Sequence, residues 1–289
     1  MIGSEKRVIR ALQERGEATR PQLAAATGLS LVTVNHVVAK LSRSGEVRSL
    51  GVVPSGGGRP VQLYGINPGH GCHIIIRLAK EGNLLRGELE QLDMTGTLQH
   101  HKSANFAYID SESFDGWLDP IMRRHHIRSI TLYTDAPADL KETAYHLQKR
   151  YGCKVRTPSC ATLLSARKDG ELTLCLPDGA EASGAYVHGG KTQSCGTLSL
   201  LPLPCNWQEI DHTDRVLLEE TVARLLQILI CILAPTRICL YTPAWSSRLM
   251  ERIRYNTTTK MKGKLPAIRF APLTEDAVLS ALREYSVRM

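Results

Sequence analysis

Two short helices separated by a glycine form the most constraining pattern in this sequence of 289 residues. The run Thr19-Arg20-Pro21-Gln22 is a capping box with proline in the first turn, and it starts a helix that Gly28 ends. Ser30 then caps a second helix. The buried stripe of this second helix has helical spacing and consists of Val34, Val37, Val38 and Leu41. A short helix, a glycine turn and a second helix together predict a helix-turn-helix.

The segments on either side extend this motif. A helix is predicted over residues 4–15, with Ser4 as its cap and Gly16 at its end. After the second helix, strands are predicted over residues 47–53 and 61–66, on either side of a glycine-rich tip that carries Arg59. Two strands around such a tip predict a wing; the alternative is a flexible linker. The sequence thus favours a winged helix-turn-helix over residues 1–70.

The polar face of the second helix fits a DNA partner. In helix-turn-helix proteins this helix enters the major groove, with its N-terminal residues at the base edges. Asn35 and His36 would contact bases, Lys40 and Arg43 phosphates, and Arg59 a phosphate or the minor groove. The residues predicted to contact DNA are Arg20, Ser30, Thr33, Asn35, His36, Lys40, Arg43 and Arg59.

Charge supports a polyanionic partner for this region. The whole chain has a formal net charge of +8, and its first seventy residues hold nine Lys and Arg against four Glu, which leaves +5. A basic small region is typical of nucleic-acid binding, and the alternative is a solvated basic face.

The remaining residues alternate between strand and helix. Three successive strands, over 72–79, 83–92 and 97–101, are followed by helix–strand alternation, and a similar series begins near residue 171. Within this region we predict helices over 111–125 and 160–168 and a strand over 192–200. The pattern predicts a two-lobed α/β domain.

Part of the sequence resembles a known family. The runs TRPQLAAATGLSLVTVNHVVAKL and GGGRPVQLYGINPGHG resemble the N-terminus of ROK-family transcriptional repressors of the NagC/Mlc type, over residues 4–70. The resemblance implies a winged helix-turn-helix over residues 1–70, fused to a sugar-kinase-like domain of the actin/ribonuclease H superfold over residues 71–289. The two lobes of that domain would span roughly 71–170 and 171–289.

Measured against that family, the kinase-like domain is degenerate and shortened. Cys160 stands where the family's kinases place an aspartate base, and Thr197 and Leu200 stand where a glutamate and a zinc-binding histidine are expected. The glycine-rich phosphate turn is reduced to residues 178–184, and Cys205 is the one cysteine left of the zinc loop. We therefore predict a non-catalytic, pseudokinase-like domain with no cofactor and no metal. Its candidate ligand-binding residues are Asp135, Ser159 and Cys160.

Other features exclude some classes of protein. The eight cysteines form no CxxC motif, and the longest apolar run, over residues 222–235, is too short and too interrupted to span a bilayer. The histidine pairs at 100–101 and 125–126 are not predicted to bind metal. No secretory signal is recognised, so the sequence favours a cytoplasmic protein without a membrane partner.

The leading hypothesis is a sequence-specific transcriptional regulator, most simply a repressor. It would bind a pseudo-palindromic operator in double-stranded DNA as a homodimer or a dimer of dimers, because one module covers only a few base pairs. The kinase-like domain would supply the dimer contact, through the helix near 216–233 and the terminal helix over 277–285, and a site for a sugar-like effector. Two alternatives stay open: a sugar kinase with an accessory helix-turn-helix, and a winged-helix module that binds protein.

Overall fold

The computed structural model describes most of the chain. The described residues are 3–55, 58–107, 111–134, 140–178, 181–195, 198, 201–205, 207, 210–211, 213–243, 245–259, 261 and 265–287, with only the backbone described at 55, 58, 59 and 111–113.

The N-terminal module contains three helices and a three-stranded sheet. Its elements are α1 (Ser4–Arg15), β1 (Glu17–Thr19), α2 (Arg20–Thr27), α3 (Leu31–Arg43), β2 (Val47–Ser55) and β3 (Gly58–Ile66). The strands lie in the order β1-β3-β2 and are antiparallel. This arrangement confirms the predicted winged helix-turn-helix, and the paired strands exclude the flexible-linker alternative.

Capping fixes where the helices begin. The Thr19 hydroxyl accepts a hydrogen bond from the backbone N–H of Gln22, whose side chain accepts one from the N–H of Thr19, so the predicted capping box is formed. The prediction for α1 was wrong by one residue: Gly3 occupies the cap position and Ser4 is already helical, with no side-chain capping bond. The strand β1 was not predicted at all.

The core of this module includes a residue from outside it. Its cluster of buried side chains contains the predicted stripe of α3 together with Val8 and Leu12 of α1 and Leu23 of α2. Met94, which comes from the domain that follows, is 3% exposed in the same cluster. The module is therefore packed onto the rest of the chain through its own core.

Two five-stranded sheets follow. The first is formed with β4 (Cys72–Glu81), β5 (Leu84–Asp93), β6 (Leu98–Phe106), α4 (Ser111–Met122), β7 (Ile127–Thr134), α5 (Lys141–Tyr151) and β8 (Lys154–Arg156). The second is formed with β9 (Glu171–Cys175), β10 (Ser183–His188), β11 (Lys191–Ser194), α7 (Arg215–Leu233), β12 (Arg237–Thr242), α8 (Ser247–Thr259) and β13 (Ala267–Pro272). Two further helices are α6 (Cys160–Leu164) and α9 (Glu275–Val287), and a 3₁₀ turn spans Pro68–His70.

The two sheets have the same topology. Their orders are β6-β5-β4-β7-β8 and β11-β10-β9-β12-β13. In each sheet, the first three strands in sequence form an antiparallel meander. The last two strands each follow a helix, and they lie beside the first strand of the meander and parallel to it. This repetition confirms the predicted two-lobed α/β fold.

Several element boundaries differ from the predictions. The helix α4 ends at Met122 instead of 125, and β6 continues to Phe106 instead of ending at 101. The helix α6 ends at Leu164 instead of 168: Ser165 is extended, and the N–H of Ala166 donates to the buried Glu171 carboxylate (3.0 Å). The strand β11 ends at Ser194, and most of the predicted remainder, 195–200, lies outside the described residues.

The helix α9 links the three parts of the molecule. It follows the last strand of the second sheet but packs against β4 and β7 of the first, where Leu282 is fully buried beside Ile75 and Tyr133. At its C-terminal end, Arg156 Nη2 donates to the carbonyl of Ser286 (2.8 Å) and Gln13 Nε2 of α1 donates to that of Val287 (2.7 Å).

No single helix in the described part of the chain has both the length and the apolar composition to cross a membrane. Only α2 and α3 taken together pass that test, and they are bent by 114° relative to each other.

Candidate nucleic-acid interface

The helix α3 is held rigidly against the module. Val34 and Val38 are fully buried beneath it, and Leu41 is 2% exposed. At its start, the Ser30 hydroxyl accepts a hydrogen bond from the N–H of Thr33 (3.1 Å), as predicted for the N-cap. Ser30 and Thr33 also share a bond between their hydroxyls (2.8 Å). The first turn of α3, where base contacts would be made, is thereby fixed in position.

Two polar side chains on this helix are free to bind. His36 is exposed and Asn35 half-buried, and neither side chain hydrogen bonds to any residue in the described part of the chain. An amide and an imidazole each offer a donor and an acceptor, which is what base edges in the major groove require.

Exposed apolar residues lie beside them, and sequence reasoning missed these. Val32 is 78% exposed and Leu31 is 48% exposed, both in the first turn of α3. Apolar side chains at such a position can contact the methyl group of thymine. The signal was present in the sequence, because Val32 lies outside the buried valine stripe of its own helix.

The predicted phosphate-binding residues of α3 have protein partners. Lys40 Nζ forms an ion pair with Glu5 of α1 (2.5 Å), and Arg43 Nε donates to the carbonyl of Ala39 (3.3 Å). The pair of Lys40 and Glu5 is about half exposed on both sides. Since exposed pairs contribute only about 0–1 kcal/mol, exchanging Glu5 for a DNA phosphate costs little.

A basic cleft lies between α3 and the wing. It has a volume of about 530 Å³ and is lined by Arg20, Ala39, Ser42, Arg48, Gln62 and Tyr64, among others. The guanidinium of Arg20 stacks on the ring of Tyr64 at 5.1 Å from its centroid. Arg20 was predicted, whereas Arg48 and Gln62 were not, since they reach the cleft only through the pairing of β2 with β3. The side chain of Arg59 lies outside the described residues, although its backbone belongs to β3.

The candidate ligand-binding residues of the kinase-like domain have structural contacts. The Ser159 hydroxyl caps α6 by accepting the N–H of Thr162 (3.3 Å). Cys160 packs against Cys175, whose pKa is raised by burial and then by its hydrogen bond with Cys160. These contacts serve the local structure. Asp135 lies outside the described residues.

Gly184, in the segment that the resemblance aligns with a phosphate-binding turn, is closely packed. A Cβ at Gly184 would lie 3.0 Å from the Cβ of Cys195 and 3.2 Å from Leu174, so glycine is needed there for close approach of the chain. Thr197 and Leu200 lie outside the described residues. The residues that the structure describes include no group of three or more His, Cys, Asp or Glu side chains placed to hold a metal ion.

Comparisons with known proteins agree with this architecture. Residues 3–48 match the family model described as winged helix-turn-helix DNA-binding. A solved ROK-family transcriptional regulator, a homologue of the E. coli Mlc protein, is 13% identical with a TM-score of 0.64, over 98% of this chain and 96% of that one. The ROK hexokinase of Thermus thermophilus is 15% identical with a TM-score of 0.51, over 74% of this chain and 97% of its own.

No curated protein sequence matches the chain. The similarity to these two structures confirms the fold expected from the resemblance. The match at residues 3–48 identifies the N-terminal module as a winged helix-turn-helix of the DNA-binding type. The chain therefore carries a winged helix-turn-helix of the DNA-binding type and has, over almost its whole length, the fold of a ROK-family transcriptional regulator.

Proposed function

We propose that this protein is a cytoplasmic, sequence-specific transcriptional regulator, acting as a repressor. Residues 1–70 bind the operator, and residues 71–289 form a non-catalytic domain for dimerisation and for sensing a sugar-like effector. The observation that carries this proposal is the free polar pair Asn35 and His36 beside the exposed Val32 on a rigid α3. None of the eight cysteines is in a disulfide bond, which suits a reducing compartment.

The proposed contacts with DNA are of two kinds, those to base edges and those to phosphates. Asn35, His36 and Val32 read base edges in the major groove, while Arg20, Lys40, Arg43 and Arg59 bind phosphates. Ser30 and Thr33 hold the first turn of α3 and can also donate hydroxyl groups to the backbone of the DNA.

Replacing Asn35 or His36 with alanine is expected to weaken operator binding by about 1–3 kcal/mol and to relax the preference at one base pair. Each change removes hydrogen bonds to a base edge while leaving the buried face of α3 intact. The measurement is fluorescence anisotropy with DNA from upstream of the protein's own gene, against a shuffled duplex of the same length.

Lys6→Ala is the matched control, since Lys6 is an exposed residue that belongs to α1 and not to α3. It should leave the preference unchanged. Equal affinity of the unaltered protein for all promoters and for shuffled DNA would contradict the proposal and favour a module that binds protein.

The proposed absence of catalysis follows from the residues at the positions that the resemblance aligns with the kinase site. Cys160 stands there in place of an aspartate base and packs against the buried Cys175, and a missing general base costs orders of magnitude in rate. We expect no phosphorylation of glucose or N-acetylglucosamine by ATP above background in a coupled ADP assay, and no stoichiometric zinc by elemental analysis. Turnover that Cys160→Ala abolishes, or one zinc per chain, would contradict this part of the proposal.

A further inference from the structure

A second pocket lies where the N-terminal module joins the first sheet. It has a volume of about 940 Å³, within the range of about 300–1,000 Å³ that is usual for small-molecule sites. Three parts of the chain line it: the linker from Pro68 to Cys72, residues of β5 and β6, and the residues at the end of α4. It belongs neither to the DNA-contacting face of α3 nor to the residues compared above with the kinase site.

The lining of this pocket is basic. Lys102 and Arg124 contribute permanent positive charges, and four histidines, His100, His101, His125 and His126, stand around them. Lys102 Nζ donates to the carbonyl of Trp117 (3.2 Å), and in the described part of the chain neither Lys102 nor Arg124 pairs with a carboxylate.

One acidic residue lines the pocket, and its charge is already satisfied. The Asp93 carboxylate accepts the N–H groups of Thr95 (2.8 Å) and Thr97 (3.0 Å) and a bond from Gln99 Nε2 (3.0 Å). Asp93 therefore holds the turn between β5 and β6, and it does not neutralise Lys102 or Arg124 through an ion pair.

A buried amide faces the same space without a partner. Gln91 is 6% exposed, lines the pocket beside its cross-strand neighbour His100, and makes no side-chain hydrogen bond within the described residues. Its amide atoms are not fully enclosed by protein, so they reach the open space of the pocket. Its amide can donate two hydrogen bonds to a ligand that carries acceptor oxygens.

We propose that this pocket binds a small anionic ligand through a phosphate or carboxylate group. The Arg124 guanidinium and the Lys102 ammonium bind the anionic oxygens, and Gln91 donates to one of them from the floor of the pocket. Histidines at the rim add further donors. A concave site of this size takes a small molecule.

The position of the site connects it to the DNA-binding module. A Cβ on Gly71 of the linker would lie 2.9 Å from the carbonyl oxygen of His126, so linker and pocket wall are in close contact. Next to it, Arg128 of β7 forms an ion pair with Glu46 of the module (3.0 Å). A ligand that contacts the linker and His126 together is thus placed to act as an effector, a role that rests on the function proposed above.

The test of the site needs no DNA. We would titrate the protein with inorganic phosphate, and separately with citrate, while recording the NMR resonances of the histidine side chains. We expect saturable shifts of His100 and His126, and none of His188, which lies on the second sheet. The anion that saturates the shifts at the lower concentration distinguishes a phosphate ligand from a carboxylate ligand.

Substitutions of residues that line the pocket test whether the anion binds there. Arg124→Gln, at an exposed position, is expected to raise the half-saturating concentration about tenfold, the loss typical of one charge-assisted hydrogen bond. Gln91→Leu should weaken binding as well without lowering the unfolding temperature, because it removes a buried group that has no partner. Lys149→Gln, at an exposed lysine of α5 in the same lobe, is the matched control and should change nothing.

Three results would overturn the proposal. They are shifts that do not saturate, equal weakening by Lys149→Gln, and shifts of His100 and His126 that arise with duplex DNA but with neither small anion. Since none of the small-anion measurements involves an operator, failure of the proposed regulatory function would leave their outcome unchanged.

Discussion

Inserting five base pairs between the two halves of the operator is expected to lower the affinity of the protein at least about 100-fold, or by about 2.7 kcal/mol. Half-sites bound by paired helix-turn-helix modules lie about one helical turn, or a multiple of it, apart. Five base pairs turn one half-site to the opposite face of the duplex, so a symmetric dimer can bind only one half at a time. Electrophoretic mobility shift with the two duplexes measures the difference.

A duplex in which five spacer base pairs are replaced, with the length unchanged, is the control and should bind normally. Equal binding to the lengthened operator, together with a solution mass near the 31.9 kDa of one chain by light scattering, would contradict a dimer.

The dimer contact is proposed for the second lobe. In the N-terminal module the exposed large apolar side chains, Leu31 and Val32 of α3 and Leu50 and Val52 of β2, lie on the helix and the wing that are proposed to contact DNA. In the second lobe, Val216 and Ile232 of α7 are 60% and 68% exposed, so apolar surface remains available there.

Replacing Met94 with alanine is expected to destabilise the N-terminal module by about 2–5 kcal/mol, the usual cost of truncating a buried methionine. Met94 is 3% exposed and fills the core of a module to which it is not adjacent in sequence. The cavity left behind weakens both the module and its attachment to the first lobe. Hydrogen exchange should register the change as faster exchange of the amides of α1 to α3.

Met122→Ala is the matched control. Met122 is half-buried and packs against the core of the first lobe, so its loss should speed exchange in α4 and leave α1 to α3 unaffected. Unchanged exchange in α1 to α3 after Met94→Ala would mean that the module does not depend on this contact.

Local patterns in the sequence were enough to predict the module. The capping box at Thr19, the cap at Ser30 and the valine stripe of α3 depend on residues within one or two turns of one another, and all are formed. In contrast, β1 has three residues, too few for an alternating pattern, and it exists only because β3 pairs with it. Met94 in the core is a contact between distant segments that no local pattern encodes.

The difference between local patterns and contacts of distant segments also applies to the candidate nucleic-acid interface. The position of Asn35 and His36 outside the buried stripe of α3 follows from helical periodicity, so the sequence could indicate them. The ion pair of Lys40 with Glu5, and the cleft that joins Arg20 with Arg48, depend on how α1, α3 and the wing pack together. Gln91 reads in the sequence as one polar residue of a strand, and its lack of a partner is visible only once β6 and α4 enclose it.

The course of α9 has a consequence for how the protein is made. A ribosome synthesises β4 and β7 early, but their face toward Leu282 stays uncovered until residues 275–287 have left the exit tunnel. During that interval Ile75 and Tyr133 form an apolar surface on a nascent chain, which chaperones recognise and which favours aggregation. The bond from Gln13 to Val287 also forms only after α9 has been made, so a chain truncated before α9 would carry a folded helix-turn-helix without this anchor to the rest of the molecule.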